Sequence, residues 1–507
     1  MKKSLKIVLI GCILWSLAVL SACYIKDSLE ADASTVTEGF SSSALSDTDS
    51  WSGGPETPSD QESEPETDAE TAEVTEPETE EATEEPSSDT TAAADTTTNA
   101  STITEPAAIA VTTAVTTTAV SEPSSTWFWE RFTRREAETT TTAPAVPPQN
   151  EEALLLLRQR VSEICKKYNV TGFSMTVFKN QSELTTLVYG YADVPKKLPV
   201  TGETKFRIAS MSKFMTGILA MRLVEAGQLD LDRDISEYVG VKIRSPYYPN
   251  VPITTRMLMN HSSSIVDGDG AFCDGRTMKQ VFATGGTYFS RNKPGAVYIY
   301  SNFGASLISA IMEAASGTHF ADYSKSVLHD LMGLDAAYYI DQLSDRNLVA
   351  DMYRGGALMK SQKTRSSASG GCYNTPLGQY FNISFGNLMI SSRDMAKITM
   401  AMANGGTYHG KKLLEPGSVA MMNKKVEGSG SPWGLMRKIV KDNLISGRTL
   451  IGHNGQAYGL IAATYFDPTD KTGFVYMTNG SNEVQGRHTF AITEAVAKAA
   501  YEYLGAF

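Results

Sequence analysis

FRIASMSKFMTGILAMRLVEAG, residues 206–227, joins a short turn to an apolar helix that Gly227 stops. Ser210 stands at its start and Lys213 follows three residues on, so the two share a face one turn apart. Serine is a weak nucleophile at neutral pH and needs a base. Lysine serves if it is partly neutral, and burial near a positive or polar group lowers its pKa. At a helix start a backbone N–H also points at a bound carbonyl oxygen.

One Ser-x-x-Lys carries little weight alone, and the chain holds a second, Ser290-Arg291-Asn292-Lys293. There Pro294 follows the lysine and disfavours helix, so that copy belongs to a loop. Tyr-x-Asn occurs three times. Tyr248-Pro249-Asn250 lies in a Pro-rich loop and Tyr380-Phe381-Asn382 precedes a strand-like run. Tyr300-Ser301-Asn302 directly precedes a helical pattern that ends around Gly317. A phenol there can pass a proton between Ser210 and a leaving group, while the Asn302 amide holds a substrate carbonyl and Lys213 together. The third element is His453-Asn454-Gly455, expected to lead into the strand LIAATYFDP (460–468). An edge strand there can pair with an extended substrate and complete an oxyanion hole. Lys471-Thr472-Gly473 spells a known catalytic triplet but sits between two strand patterns and reads as a turn.

Composition divides the chain into 1–22, 23–149 and 150–507. The first part has Lys2, Lys3 and Lys6, an apolar run, then Leu20-Ser21-Ala22-Cys23. That is the pattern of a bacterial lipoprotein signal, with Cys23 as the lipidated residue. The second part holds 27 acidic against 4 basic residues among Thr, Ser, Glu, Pro and Ala. Low hydrophobicity and high charge leave too little apolar surface to offset chain entropy, so it reads as a disordered spacer of about 60 Å mean reach. The third part carries 30 acidic and 38 basic residues, the basic ones scattered, which is no nucleic-acid signature.

Within 150–507 the periodicity predicts a helix over 150–168 with Cys165 buried. A hairpin follows, from 173–180 and 182–194, and short helices and loops fill 228–300. A turn leads into a helix over 385–406, strands run at 460–468 and 473–479, and a last helix covers 488–504. The implied architecture is α/β, a sheet built from N- and C-terminal strands with a mostly helical insertion between. Cys273 and Cys372 sit in Gly-rich loops, and a bridge between them stays open. No His, Cys or carboxylate cluster has metal-ligand spacing, so no metal or cofactor is expected.

The runs FRIASMSK, ITTRMLMNHSS, PGAVYIYSNFGASLISAIME, GNLMISSRDMAK and GHNGQAYG span most of 150–507. In that order they resemble the class C β-lactamase family, which also contains D-alanyl-D-alanine peptidases, D-aminopeptidases and esterases. The resemblance implies a β-lactamase/transpeptidase-like fold, an antiparallel sheet flanked by helices plus a mostly helical lobe. It implies Ser210 as nucleophile, Lys213 as its base and Tyr300 as proton shuttle. Asn302 is a supporting group, His453 and Gly455 face the substrate, and the N–H groups of Ser210 and Gln456 form the oxyanion hole. Two departures stand out. His453 replaces the lysine usual in true class C β-lactamases, as in peptidase- and esterase-like members. His261-Ser262-Ser263-Ser264 lacks the family's glycine after its small polar residues, and His261 is read as structural.

The expectation is a monomeric serine hydrolase, lipid-anchored through Cys23 on the extracytoplasmic face of the cell membrane. Its substrates would be D-amino-acid peptides of peptidoglycan, or small amides or esters. A β-lactamase is the alternative enzyme. An inactive wall-binding or surface-stalk protein is the alternative of another class.

Overall fold

The computed structural model describes residues 148–268, 276–283, 288–361, 372–426 and 431–507. The leader, Cys23, the spacer up to residue 147 and Cys273 lie outside them, and so does the question of a Cys273–Cys372 bridge. Cys165 is a buried free cysteine.

The main sheet is antiparallel and seven-stranded. Its strands are β1 (Gly172–Lys179), β2 (Ser182–Asp193), β3 (Leu198–Pro199), β4 (Lys438–Lys441), β5 (Thr449–Ala457), β6 (Leu460–Phe466) and β7 (Thr472–Thr478), in the order β4-β5-β6-β7-β1-β2-β3. N- and C-terminal segments therefore meet at the β1–β7 pairing, where Phe173 lies opposite Thr478 and Lys179 opposite Thr472. The five long helices are α1 (Pro148–Lys167), α2 (Ser212–Glu225), α3 (Asn302–Ser316), α4 (Ser392–Ala403) and α5 (Ala491–Leu504).

Strands β6 and β7 are buried along their whole length because both faces of the sheet are covered. One core packs α1 and α5 on the sheet through Leu157, Val161, Phe173, Tyr476 and Val496. The larger core joins the other face to α2, α3 and α4 and runs on into the helical lobe. Helix α2 sits at its centre and is buried on nearly every side, as an all-round apolar helix must be. Gly217 lets it approach the chain at Met436, since a Cβ there would stand 2.7 Å from Met436 Cβ.

The fold class and most elements match expectation, the short helices of the lobe included, with two adjustments at the site. Ser210 lies in a 3₁₀ turn (Ala209–Met211) just before α2 begins. His453-Asn454-Gly455 does not lead into the strand at 460 but lies inside a separate strand, β5, paired antiparallel with β6. In the lobe, the short helices Ile235–Val239 and Thr255–Met259 start where Asp234 and Thr254 accept hydrogen bonds from Ser236 N and Met257 N.

Candidate active site

The 3₁₀ turn that carries Ser210 is braced from below. Ile208 N donates to Leu388 O at 3.0 Å and Leu388 N donates to Ser212 Oγ at 3.0 Å. Ala209, immediately before Ser210, has φ +45°, a costly conformation for a residue with a Cβ. Such strain persists only where the surroundings hold it, here the packing of the turn on β5. Strand β4 pairs only with residues 449–452, so Ser210's turn takes the place of a further strand beside Gly455. A Cβ on Gly455 would stand 2.1 Å from Ile208 O and 3.2 Å from Met211 N. Glycine at 455 is thus what allows the Ser210 turn to seat on the strand.

Lys213 is fully buried. Its ammonium spends all three protons: on Ser210 Oγ at 3.0 Å, Asn302 Oδ1 at 2.7 Å and the Phe385 carbonyl at 3.0 Å. Burial draws its pKa down to about 7, against the opposing pull of the Asp267 charge. Near neutral pH a substantial fraction is therefore a free amine able to take the Ser210 proton. The Tyr300 hydroxyl hydrogen-bonds with Ser210, and burial pushes its pKa far above the ordinary phenol value. The phenol thus stays protonated at any physiological pH. It can hand on a proton, but it cannot be the resting base while Lys213 titrates near 7. The two groups divide the work by environment, as paired acid–base residues do.

Asn302 opens α3. Its Oδ1 faces Lys213, while its Nδ2 donates to Asp267 Oδ2 at 3.0 Å. Asp267 Oδ1 accepts from Ser301 Oγ at 3.0 Å and from Phe303 N at 2.8 Å. Sequence reasoning did not find Asp267. Its only local cue is a place in the Gly- and Asp-rich loop three residues after Ser264.

His453 is buried, and its Nδ1 lies 2.6 Å from Asn454 O, the contact of a protonated Nδ1. Burial first, then the Lys213 charge, lower its pKa to about 3, so the imidazole is neutral. Trp433 packs edge-on against it at 4.8 Å between ring centroids and against His261 at 5.2 Å. His261, read from sequence as structural, stands against Tyr300 at 4.3 Å and accepts from Ser301 N through Nδ1 at 3.3 Å. Burial and the Lys213 charge hold it neutral as well. His261, Tyr298 and Trp433 form an aromatic wall behind the phenol that the motifs did not announce.

Gln456 lies three residues beyond His453 on β5, exposed, with its side chain donating to Glu483 at 3.0 Å. Ser290 and Lys471, of the other motif copies, have partners of their own. Ser290 is tied to Ser264 through N→O at 2.8 Å. Ser264, at the position of the family's glycine, adopts φ +68°, and its hydroxyl donates to Ser290 O at 3.1 Å. Lys471 lies in the β6–β7 turn, its N–H on Asp467 O at 3.0 Å. Among the described residues no group of three or more His, Cys, Asp or Glu could hold a metal ion.

A β-lactamase family model matches residues 157–497. The human mitochondrial serine beta-lactamase-like protein LACTB is 27% identical over 243 residues, 34% of this chain and 44% of that protein. Protein flp of Staphylococcus aureus (strain N315) is 27% identical over 162 residues, 31% of this chain and 32% of that protein. The chain thus spans less than half the length of the curated relatives it matches. Among solved structures, the beta-lactamase/D-alanine carboxypeptidase from Pseudomonas syringae superposes with a TM-score of 0.55 at 17% identity, covering 70% of this chain and 99% of that one. The octameric penicillin-binding protein homologue from Pyrococcus abyssi gives 0.52 at 24%, covering 65% and 74%. At these identities the structural likeness speaks for the fold.

Proposed function

The chain belongs to the β-lactamase family of serine hydrolases, and from that membership and the site geometry we propose an acyl-transferring serine hydrolase of extracytoplasmic, lipid-anchored type. Its substrates are D-amino-acid peptides of peptidoglycan or small amides and esters. The carrying observation is Lys213, buried between Ser210 and Asn302 with a pKa near 7, while Tyr300, bonded to Ser210 and with its ring 5.1 Å from Lys213 Nζ, stays protonated.

Neutral Lys213 takes the Ser210 proton as Oγ attacks the acyl carbon. The developing oxyanion is met by the N–H groups of Ser210 and Gln456. Tyr300 delivers a proton to the leaving nitrogen or oxygen and is reprotonated by the Lys213 ammonium, which holds the proton taken from Ser210 and stands 5.1 Å from the Tyr300 ring. In deacylation the same groups activate water. His453, neutral beside the site, offers no charge to a substrate carboxylate, which favours amides and esters that lack one over anionic β-lactams and over peptides with a free D-Ala carboxylate. Anchoring rests on Leu20-Ser21-Ala22-Cys23, with residues 23–149 as the spacer that lifts the hydrolase off the membrane.

The test is a panel of a D-Ala-D-Ala peptide, nitrocefin and short-chain esters. Turnover of the peptide or esters well above nitrocefin agrees with the proposal. Efficient nitrocefin turnover with neither of the others would make the chain a β-lactamase instead.

A further inference from the structure

Asp267 is exposed, yet its carboxylate spends both oxygens on the start of α3: Oδ1 on Ser301 Oγ and Phe303 N, Oδ2 on Asn302 Nδ2. A helix cap needs only the first pair. The bond to Asn302 does something else. A primary amide can turn either face to Lys213, and a donor to Asp267 on one side leaves the carbonyl for Lys213 on the other. We propose that Asp267 is a positioning residue of this site: it locks the Asn302 amide so that Oδ1 faces Lys213, and it keeps a negative charge beside the base. This role rests on the serine hydrolase reading above.

The charge argument has a definite sign. The groups that face Lys213 are Ser210 from its own turn, Asp267 from the loop, Tyr300 ahead of α3, His261 from the lobe and His453 from β5. Both histidines and the phenol are neutral near pH 7, so Asp267 supplies the negative charge among them. It works against burial and raises the pKa of Lys213. Without it, Lys213 would become a free amine at lower pH. Asp267→Asn removes the charge and one acceptor. Its remaining oxygen is claimed by Phe303 N and Ser301 Oγ, so its NH₂ meets Asn302 Nδ2, donor against donor. Asn302 then turns, and Lys213 loses its shortest hydrogen bond.

The experiment follows the labelling rate of the whole chain with a fluorophosphonate against pH, with a thermal melt on each protein. Wild type should label with a rate that rises as pH passes through the Lys213 pKa. In Asp267→Asn the half-rise should move down by about one pH unit, and the plateau should fall about tenfold or more through misplacement of the base. Asp267→Glu keeps the charge and should restore the half-rise. Thr254→Ala removes the hydroxyl that accepts from Met257 N at the start of the helix Thr255–Met259. It should lower the melting temperature and leave the half-rise in place. An Asp267→Asn protein with the wild-type half-rise and plateau overturns the proposal. So does a Thr254→Ala protein whose half-rise moves as far. A wild type that takes no label contradicts the proposed function and this role together, whereas a labelled wild type with an unresponsive Asp267→Asn contradicts this role alone.

Discussion

At the scale of single residues, the proposed proton path depends on a lysine that titrates near 7 and a phenol that does not. Tyr300→Phe removes the hydroxyl that bonds Ser210 and should slow acylation by about 10²–10⁴-fold. Tyr248→Phe and Tyr380→Phe should do far less, and equal losses at all three would show that another tyrosine serves. His453→Lys would place a cation where a neutral ring now stands. The ratio of kcat/KM for a carboxylate-bearing substrate over its methyl ester should rise modestly, since one partly screened charge pair is worth about 1 kcal/mol or less. An unchanged ratio, with a wild type that already prefers the free carboxylate, would mean that another group reads the carboxylate. Ser210, Lys213, Tyr300 and Asn302 could be picked out in the sequence because each belongs to a short motif at the edge of a helix. Asp267, Tyr298, Trp433 and the position of His261 could not. They join the site through folding of the loops at 261–268, 290–301 and 431–437, where no local period points inward.

At the scale of elements, the nucleophile's turn and β5 are built to touch. The sequence 449–457 holds two glycines and an asparagine, residues depleted in strands, which is why it did not read as one. The glycines are there for contact. Gly452 leaves room for Thr464 O, 1.8 Å from where a Cβ would sit, and Gly455 for Ile208 O at 2.1 Å. Gly455→Ala should therefore push the 208–211 turn off the strand. Its expected cost is about 1–3 kcal/mol of stability, read by thermal melt, and a larger loss of acylation, read by labelling rate. Gly417→Ala, where a Cβ meets nothing within 4 Å, is the control and should change neither. If Gly455→Ala labels at the wild-type rate, the close seating of turn on strand does not matter for chemistry. The long elements α1, α2, α3 and the β6–β7 hairpin follow from apolar period and glycine stops. The two five-residue helices of the lobe are legible only as short helices somewhere in 228–300, without bounds, because helices that short are held by tertiary packing rather than by their own propensity.

At the scale of the whole molecule, the chain is proposed to join a membrane address and an acidic spacer to the hydrolase fold. The first two are legible only as composition and motif. Palmitate labelling should mark the protein, and Cys23→Ser should abolish the mark; a mature N-terminus far from Cys23 would rule out the lipid anchor. The third rests on Ser210 being the acylated residue with Lys213 as its base. Mapping by mass spectrometry the residue that carries a fluorophosphonate adduct, as a function of pH, tests this most directly. The account predicts a single adduct on Ser210, formed at a rate that climbs through about pH 7 and lost in Ser210→Ala but not in Ser290→Ala. An adduct on Ser290 or another serine, or full labelling of Ser210→Ala, would contradict it.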